Sequence, residues 1–262
     1  MEELERLKSR LENIRAVEPI LGALRTISLG SRLLALNKRR NVDQYAQHLL
    51  RILALITPYL RQHFPTQRQE RQPAERIALL VIGSERGLCG PFNDAVVAYA
   101  EQILSQYAPN AKITLMTLGT RTQRTFRRRA RVPVWAKPLS VTALPPYGLA
   151  VELVTEWLQS YERYELDAVE VIYNAPRGFI RYEPTIVCLL PPTIPSVPVE
   201  ESLFPPIIET DPAGLYMRLV ELWLTAKLYQ ILLDSAVAEH SARYQLLDGA
   251  TQNAERLIEE LK

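Results

Sequence analysis

Residues 213–262 have the sequence AGLYMRLVELWLTAKLYQILLDSAVAEHSARYQLLDGATQNAERLIEELK, which is fifty residues without a proline. Apolar residues recur here at alternating steps of four and three residues, the spacing of a heptad repeat. A helix of this length is roughly 75 Å long and buries one stripe against a partner helix. The predicted seam, in which only His240 and Arg243 are polar, consists of Leu215, Leu219, Leu222, Ala226, Tyr229, Leu233, Ala236, His240, Arg243, Leu247, Ala250, Ala254, Leu257 and Leu261.

Residues 2–57 predict a second long helix, which we expect to pair with the first in an antiparallel arrangement. Its predicted apolar face is less regular than the C-terminal one and contains Pro19. Because an interior proline costs ~3 kcal/mol and bends a helix, we expect a kink or break near residues 15–19. The predicted face consists of Leu4, Leu7, Leu11, Ile14, Val17, Leu21, Leu24, Ile27, Leu33, Leu36, Tyr45, Leu49, Ile52, Leu53 and Ile56.

The middle of the chain alternates predicted strands and helices, which is typical of an α/β layer with largely parallel strands. The strands are predicted at 77–83, 112–119, 166–175 and 181–192, with a further short strand followed by a loop within 132–146. We expect the last two strands, 166–175 and 181–192, to form an antiparallel hairpin. Helices are predicted at 93–107, 120–130 and 148–164, with Asn93 as an N-cap. Residues 61–75 and 191–212 are expected to be linkers, so the predicted domains are 1–60, 76–192 and 213–262.

The composition narrows the class of protein. Hydrophobic residues make up 47% of the chain and charged residues 23%, as in a globular protein, and the net charge is only +2. This charge indicates no general attraction to nucleic acid or to membranes. The chain has no run of eighteen apolar residues, so we predict no direct insertion into a bilayer. Two cysteines, Cys89 and Cys188, are too few for a disulfide framework and favour a reducing compartment.

The segment GSERGLCG (83–90) lies between a predicted strand and a predicted helix, where phosphate-binding loops occur. It fits neither GxGxxG nor GxxxxGK[ST], so a tight turn that needs positive φ is favoured over a nucleotide loop. Cys89 is a candidate nucleophile if Arg86 lies close enough to lower its pKa. No histidine is near in sequence, however, and a buried structural cysteine is favoured.

Six arginines between Arg121 and Arg131 surround Phe126, with no acidic residue between Glu101 and Glu152. A nucleic-acid surface is one interpretation of this cluster. A solvated helix face or a protein contact is favoured, because the whole chain is nearly neutral. No metal-ligand spacing and no catalytic constellation is present, so we predict no cofactor. His240 and Arg243 are interpreted as a polar layer that sets helix register.

Three separated stretches carry a resemblance to one family. SERGLCGPFN (84–93) is similar to the motif S-D-R-G-L-C-G-G-F-N, with Glu85 and Pro91 as departures. IYNAPRGFIRYEPTIVCLLP (172–191) is similar to the Y-N-x-F…LLP strand pair of the same family. AEHSARYQLLDGATQNAERLIEEL (238–261) is similar to its C-terminal signature S-E-H-x-A-R-M-x-A-M-x-x-A-T-x-N-A. The sequence therefore resembles the gamma subunit of F-type ATP synthases.

The resemblance implies an antiparallel coiled coil of the terminal helices flanking a Rossmann-like α/β domain. It implies a non-catalytic rotor subunit of a proton-translocating synthase, peripheral on the cytoplasmic face of an energy-coupling membrane such as the bacterial plasma membrane. Expected partners are the α and β subunits of the F1 hexamer, an epsilon-type subunit and the membrane c-ring. The residues expected to make subunit contacts are Arg25, Arg32, Arg86, Cys89, Glu239, His240, Arg243, Gln245, Asp248, Thr251 and Asn253.

Two departures from the family pattern leave a second interpretation open. VEPILGALRTISL (17–29) replaces a T-x-K-I-T-K-A-M-K-M-V-A-A-like segment, and the sequence ends at Lys262, before the last turns expected in the family. A divergent gamma-like protein of a variant ATPase or assembly complex is therefore an alternative. A nucleotide-binding α/β enzyme that uses loop 83–90 is another.

Overall fold

Two long helices pack on each other beside a five-stranded sheet, and three shorter helices complete the described part of the chain. The computed structural model describes residues 2–60, 74–139, 144–193 and 207–260. Most of the two predicted linkers lies outside these ranges. In chain order the elements are α1 (Glu2–Leu60), β1 (Arg76–Ile82), α2 (Phe92–Leu104), β2 (Lys112–Leu118), α3 (Thr120–Arg128), β3 (Trp135–Lys137), α4 (Tyr147–Glu162), β4 (Ala168–Arg177), β5 (Arg181–Leu190) and α5 (Pro212–Glu260).

The strands form one mixed sheet in the order β3-β2-β1-β4-β5. The β1 strand pairs in parallel with β2 and β4, and β2 pairs in parallel with β3. The β5 strand runs antiparallel to β4, which confirms the predicted hairpin. With the two terminal helices packed on each other, this arrangement confirms the predicted fold class.

The sheet is covered on both faces, as expected for parallel strands. On one face, Leu80 of β1 belongs to a cluster with Leu153 of α4 and Leu224 of α5. On the other face, Leu79 belongs to a cluster with Val97 of α2 and Phe126 of α3. The carboxyl ends of β1, β2 and β3 therefore meet at one edge of the sheet, beside α5.

The α1 and α5 helices run antiparallel, and we call this pair the shaft. Arg25 bonds to Asp248, whereas Arg39 bonds to Asp234, so the numbering falls on α5 as it rises on α1. At 1.5 Å per residue, the 59 residues of α1 span about 88 Å, compared with about 23 Å for a seven-residue strand. The shaft therefore extends well beyond the sheet.

The middle of α5 is buried on more than the single predicted stripe. Between Leu219 and Ala242 most side chains are buried, because the sheet and α4 cover faces that α1 does not. Beyond Tyr244 one stripe remains. It consists of Leu247 and Ala254, as predicted, and of Thr251 in place of the predicted Ala250, which is half-buried.

The predicted apolar face of α1 is partly wrong. Val17, Ile27, Leu33 and Tyr45 are exposed, although each was expected on the face. The buried positions of α1 still follow alternating steps of four and three residues, but several of these positions hold small or polar residues. Those buried side chains are Ser28, Arg32, Ala35, Ala46, Leu49, Leu53 and Ile56. A search for large apolar residues misses this seam, because the first three of these buried residues, Ser28, Arg32 and Ala35, are small or polar.

The predicted break near residues 15–19 is wrong, since α1 continues through Pro19 without interruption, whereas the kink stays a prediction. Proline leaves the carbonyl of Arg15 without its helical donor. Both residues are exposed, so water can satisfy that carbonyl. The long helical segments on either side hold the turn in place by cooperativity.

Between Glu5 and Thr57, α1 is long and apolar enough to cross a membrane, with a best window of mean hydropathy 1.2. This test uses length and composition alone, and the packed helix of a coiled coil can pass it. In this structure α1 packs along α5, and its seam contains Arg25 and Arg32. The finding is therefore weak evidence for a span.

Candidate functional site at the junction of the shaft and loop 83–90

Loop 83–90 is a tight turn between β1 and α2. Leu88 and Gly90 have φ of 61° and 56°, which confirms that the turn needs positive φ. Gly83 is required for a different reason. A Cβ at this position would lie 1.8 Å from Thr122 Oγ1 and 2.7 Å from Asn93 Oδ1. The loop is thus pressed against the start of α3.

Asn93 holds the loop from inside rather than capping α2, which begins one residue earlier at Phe92. Its Oδ1 accepts hydrogen bonds from the Ser84 backbone N–H at 2.9 Å and from Thr122 Oγ1 at 3.1 Å. Its Nδ2 donates to Ser84 Oγ at 2.8 Å, and that hydroxyl donates to the Arg86 carbonyl. The polar side chains that a phosphate-binding loop would offer are therefore used within the loop itself.

Cys89 is buried beneath this loop at 2% exposure, as the structural interpretation predicts. It packs in a small cluster with Phe92 and with Ala238 and Ala242 of α5. Burial raises the pKa of the Cys89 thiol, so Arg86 does not activate it. This cysteine joins the loop to the shaft and has none of the features of a nucleophile.

Arg243 of α5 ties the same loop to the shaft through backbone acceptors. Its Nε donates to the Gly87 carbonyl at 3.1 Å, and its Nη2 donates to the Arg86 carbonyl at 3.3 Å. It also forms an ion pair with Glu239 at 2.5 Å, with side-chain exposures of 12% and 14%. Burial raises the pKa of the Glu239 carboxyl, and the guanidinium of Arg243 opposes that rise.

The interpretation of His240 and Arg243 as a polar layer between the two helices is therefore wrong for Arg243. That side chain is directed at the loop, and its Nη1 lies 3.3 Å from His240 Nδ1. The reason is that α5 is enclosed at this level, with α1 on one side and loop 83–90 on another. A heptad count along one helix does not distinguish these two neighbours.

Glu85 fixes the entry to α3 and was not chosen from the sequence as a contact residue. Its carboxylate accepts hydrogen bonds from the Thr120 backbone N–H at 3.0 Å, from Thr120 Oγ1 at 2.6 Å and from the Leu139 N–H at 2.9 Å. Burial alone would raise the pKa of Glu85, but these hydrogen bonds and the nearby Arg124 outweigh burial and lower it. The acidic position in the family-like motif thus connects three loops at the carboxyl edge of the sheet.

The basic cluster forms the outer face of α3. Thr122, Thr125 and Phe126 face inward, whereas the arginines of this helix are exposed. Just beyond the helix, Arg129 pairs with Glu101 at 2.7 Å. An open cavity of about 520 Å³ lies between α3 and the loop, and four arginines line it. The arrangement fits the favoured interpretation of a solvated helix face.

The remaining predicted contact residues divide by exposure. Arg32 and Thr251 are buried, so their contacts in this structure are internal. Arg25 and Asp248 pair at 2.9 Å on the side of the shaft, about one-third exposed. Exposed residues from the predicted set are Arg86, Gln245 and Asn253. Within the described ranges no group of three or more His, Cys, Asp or Glu side chains is placed to hold a metal ion.

Comparison with known proteins places this architecture in a family. A model of the ATP synthase family matches residues 3–262. The ATP synthase gamma chain of Pelotomaculum thermopropionicum is 28% identical over 261 residues, which cover 100% of this chain and 90% of that protein. The gamma chain of Desulfitobacterium hafniense is also 28% identical, over 97% of this chain and 88% of its own length.

Solved structures share the fold at lower sequence identity. The central stalk of the Tetrahymena thermophila mitochondrial ATP synthase matches with a TM-score of 0.64 and 18% identity, covering 88% of this chain and 99% of that chain. The rotor of the Euglena gracilis enzyme matches with a TM-score of 0.66 and 14% identity, over 99% and 95% of the two chains.

A shaft of two terminal helices, packed on a mixed sheet and tied to it through a non-catalytic loop, defines a central-stalk type of protein. The chain belongs to the ATP synthase gamma chain family. It is a non-catalytic subunit of the F-type rotor.

Proposed function

We propose that the projecting half of the shaft turns inside a hexamer of α and β subunits, while the α/β domain rests on the membrane c-ring together with an epsilon-type subunit. The observation that carries the proposal is a stripe of exposed apolar side chains on the first half of α1. Ile20, Ile27 and Leu34 recur every seven residues and are 58%, 62% and 56% exposed. Side chains seven residues apart lie on one helix face.

Such a stripe indicates a partner surface, because contiguous exposed apolar residues on a soluble domain mark interaction sites. Val17 and Leu33 are also exposed, at 49% and 50%, on other parts of the surface of α1. Beyond Tyr244, the buried residues of α5 belong to none of the hydrophobic clusters of the α/β domain. This part of the shaft is therefore free to enter a socket formed by other chains.

Two exposed residues from the predicted set, Gln245 and Asn253, lie on the same projecting part, and we propose that they contact the hexamer. Arg86 is exposed at loop 83–90 and is proposed to contact the rim of the hexamer. The buried Arg32, Cys89 and Thr251 act instead by holding the shaft and loop in shape.

The opposite end of the molecule is the proposed seat on the membrane ring. The Tetrahymena match is a central stalk described together with a c-ring, and the Euglena match is described as a rotor. The curated relatives compared above are bacterial gamma chains. We therefore propose a peripheral location on the cytoplasmic face of the bacterial plasma membrane.

Reconstitution tests the proposed function. The full chain is mixed with α and β subunits from the same organism, and complex formation, ATP hydrolysis and rotation of a bead attached to the α/β domain are measured. We expect a complex with one copy of this chain per hexamer and ATP-driven rotation. Failure to co-assemble, or assembly without rotation, would overturn the proposal.

A variant set locates the contact surface in that assay. Replacing Ile20, Ile27 and Leu34 by serine is expected to weaken assembly at least tenfold, because burial of each side chain contributes about 1.5–3 kcal/mol. The control replaces Val132 and Val134, which are 73% and 78% exposed next to β3 and far from the shaft. Equal weakening by both sets would show that the stripe is not the contact surface.

A further inference from the structure

The seam between α1 and α5 contains three arginines at intervals of seven residues. Arg25 Nη1 donates to Asp248 Oδ1 at 2.9 Å, Arg32 Nε to Ser241 Oγ at 2.9 Å, and Arg39 Nε to Asp234 Oδ1 at 3.1 Å. The α5 partners are also seven residues apart, in the opposite direction. The three pairs are therefore successive rungs of one antiparallel register.

A fourth contact obeys the same register. Asp43 lies four residues after Arg39, and Gln230 lies four residues before Asp234. Gln230 Nε2 donates to Asp43 Oδ1 at 2.8 Å. Polar contacts thus mark the alignment of the two helices over nearly three heptads.

Apolar packing specifies this alignment only weakly outside the sheet region. At the level of the rungs, α1 presents Ser28 and Ala35, at 3% and 0% exposure, and α5 presents Ala238 and Ala242. Small side chains bury little area. A slip of one heptad would place Ser28 opposite Ala238 or Gln252. It would place Ala35 opposite Gln245 or Ile231, so three of these four contacts would again be with small or polar side chains. Among the described residues of α1, fully buried large apolar side chains such as Leu49 and Leu53 lie at the end that joins the main core, whereas Leu21 and Leu24 are half-buried.

The charged rungs distinguish the alternatives. A slip of one heptad in one direction would place Arg39 opposite Lys227, so two positive charges would meet. A slip in the other direction would place Asp234 opposite Ala46, and this carboxylate, only 17% exposed, would lose its arginine. The first shifted alignment therefore brings two positive charges together, and the second leaves a largely buried carboxylate without its arginine. Charged positions in a helix pair select one register in this way.

The middle rung is also tied to the α/β domain. Arg32 is 7% exposed, and its Cζ lies 4.0 Å from the ring centroid of Phe179 at the tip of the β4–β5 hairpin. Phe179 in turn packs edge-on against Tyr244 of α5, with centroids 6.0 Å apart. One arginine thus joins both helices and the hairpin.

We propose that Arg25, Arg32 and Arg39 form a register ladder that holds α1 and α5 at a single axial alignment. Burying Arg32 without a carboxylate costs stability, as the lowering of its pKa by burial also indicates. Its role is therefore in specificity of alignment. A shaft with one alignment transmits force without sliding of one helix on the other.

The test measures alignment directly on the full chain, without any partner subunit. Spin labels are placed at the exposed residues Glu12 and Gln245 after replacement of Cys188 by serine. Sixteen residues separate their levels along the shaft, or about 24 Å, and a slip of one heptad changes this offset by about 10 Å. We expect a single narrow distance distribution in the parent chain.

In the triple variant Arg25→Met, Arg32→Met and Arg39→Met, we expect a second distance population shifted by about 10 Å. The matched control replaces three exposed arginines of α1, Arg15, Arg40 and Arg51, by methionine and should keep one population. A single unshifted population in the triple variant would overturn the proposal.

A charge reversal provides a readout that a loss of stability alone would not produce. Arg25→Asp is expected to create the second population by repulsion from Asp248. Adding Asp248→Arg is expected to remove it, because the rung re-forms with opposite polarity. Persistence of two populations in the double variant would contradict the ladder.

Discussion

Replacement of Arg243 by methionine is expected to destabilise the folded chain strongly. Methionine keeps much of the aliphatic volume but removes the donors to the Gly87 and Arg86 carbonyls and the ion pair with Glu239. With both charged side chains less than 15% exposed, loss of one partner leaves a buried carboxylate uncompensated, which costs ~3–5 kcal/mol. At an m-value of about 2–3 kcal/mol/M, this corresponds to a shift of about 1–2.5 M in the urea midpoint.

The loss should depend on pH in a defined direction. Burial raises the pKa of Glu239 above its value in the unfolded chain, so the folded state binds this proton more tightly. The associated stability is fully present below the unfolded pKa of about 4.3 and is lost as pH rises through the folded pKa. Removing the opposing Arg243 charge raises the folded pKa further. The destabilisation by Arg243→Met should therefore be larger at pH 7.5 than at pH 5.

Urea unfolding followed by circular dichroism at both pH values measures these quantities. Adding Glu239→Gln to Arg243→Met should recover about 2 kcal/mol at pH 7.5, because the unpaired charge is removed. The control Arg86→Met changes an exposed side chain of the same loop and should shift stability by less than about 0.5 kcal/mol. A loss below about 1 kcal/mol, an equal loss at both pH values, or no recovery in the double variant would refute this reasoning.

Two further substitutions test other parts of the structure. Gly83→Ala places a Cβ 1.8 Å from Thr122 Oγ1, so it should lower the free energy of unfolding in urea by ~1–3 kcal/mol. Gly22→Ala lies in open space on α1 and should raise the free energy of unfolding by up to ~1 kcal/mol. Similar effects of the two substitutions would contradict the packing of the loop. A side-chain hydrogen bond from Arg76 is the main cause that lowers the pKa of Asp167 to about 2. The contribution of Asp167 to stability is therefore present above pH ~4 and is lost as pH falls toward 2. Acid titration of Asp167→Asn should show a flatter stability profile in that window, and a profile identical to that of the parent would refute it.

The arrangement of strands and helices was predictable from the sequence because β1, β2 and β4 are continuous apolar runs that only a covered sheet can bury. The turn at 83–90 was predictable in type, since its glycines lie between a strand and a helix. The hydrogen bonds inside this turn were not predictable. Asn93 follows the loop at a position typical of an N-cap, and only the approach of α3 makes Ser84 and Thr122 its partners instead.

The seam of α1 could not be found from large apolar residues. Its middle part uses Ser28, Arg32 and Ala35, whereas Ile27 and Leu34 lie beside it and are exposed. A search for paired heptads would have found it, since the arginines on α1 and their partners on α5 have the same period. The seam is evident when the two distant segments are compared with each other, and it is not evident from either segment alone.

Two of the features that the sequence pattern assigned wrongly have a common cause. Arg243 was expected to face α1, and Ile27 was expected to be buried, because each prediction assumed one partner for each helix. In the structure α5 has two neighbours at the level of Arg243, namely α1 and loop 83–90, and Ile27 belongs to an exposed face of α1. A rotor subunit needs both arrangements, because its shaft must be fixed to its own α/β domain and must also present a surface to the chains around it. A shaft whose two helices are fixed to each other and whose surface contacts other chains is therefore expected to have charged and small residues inside the seam and apolar residues outside it.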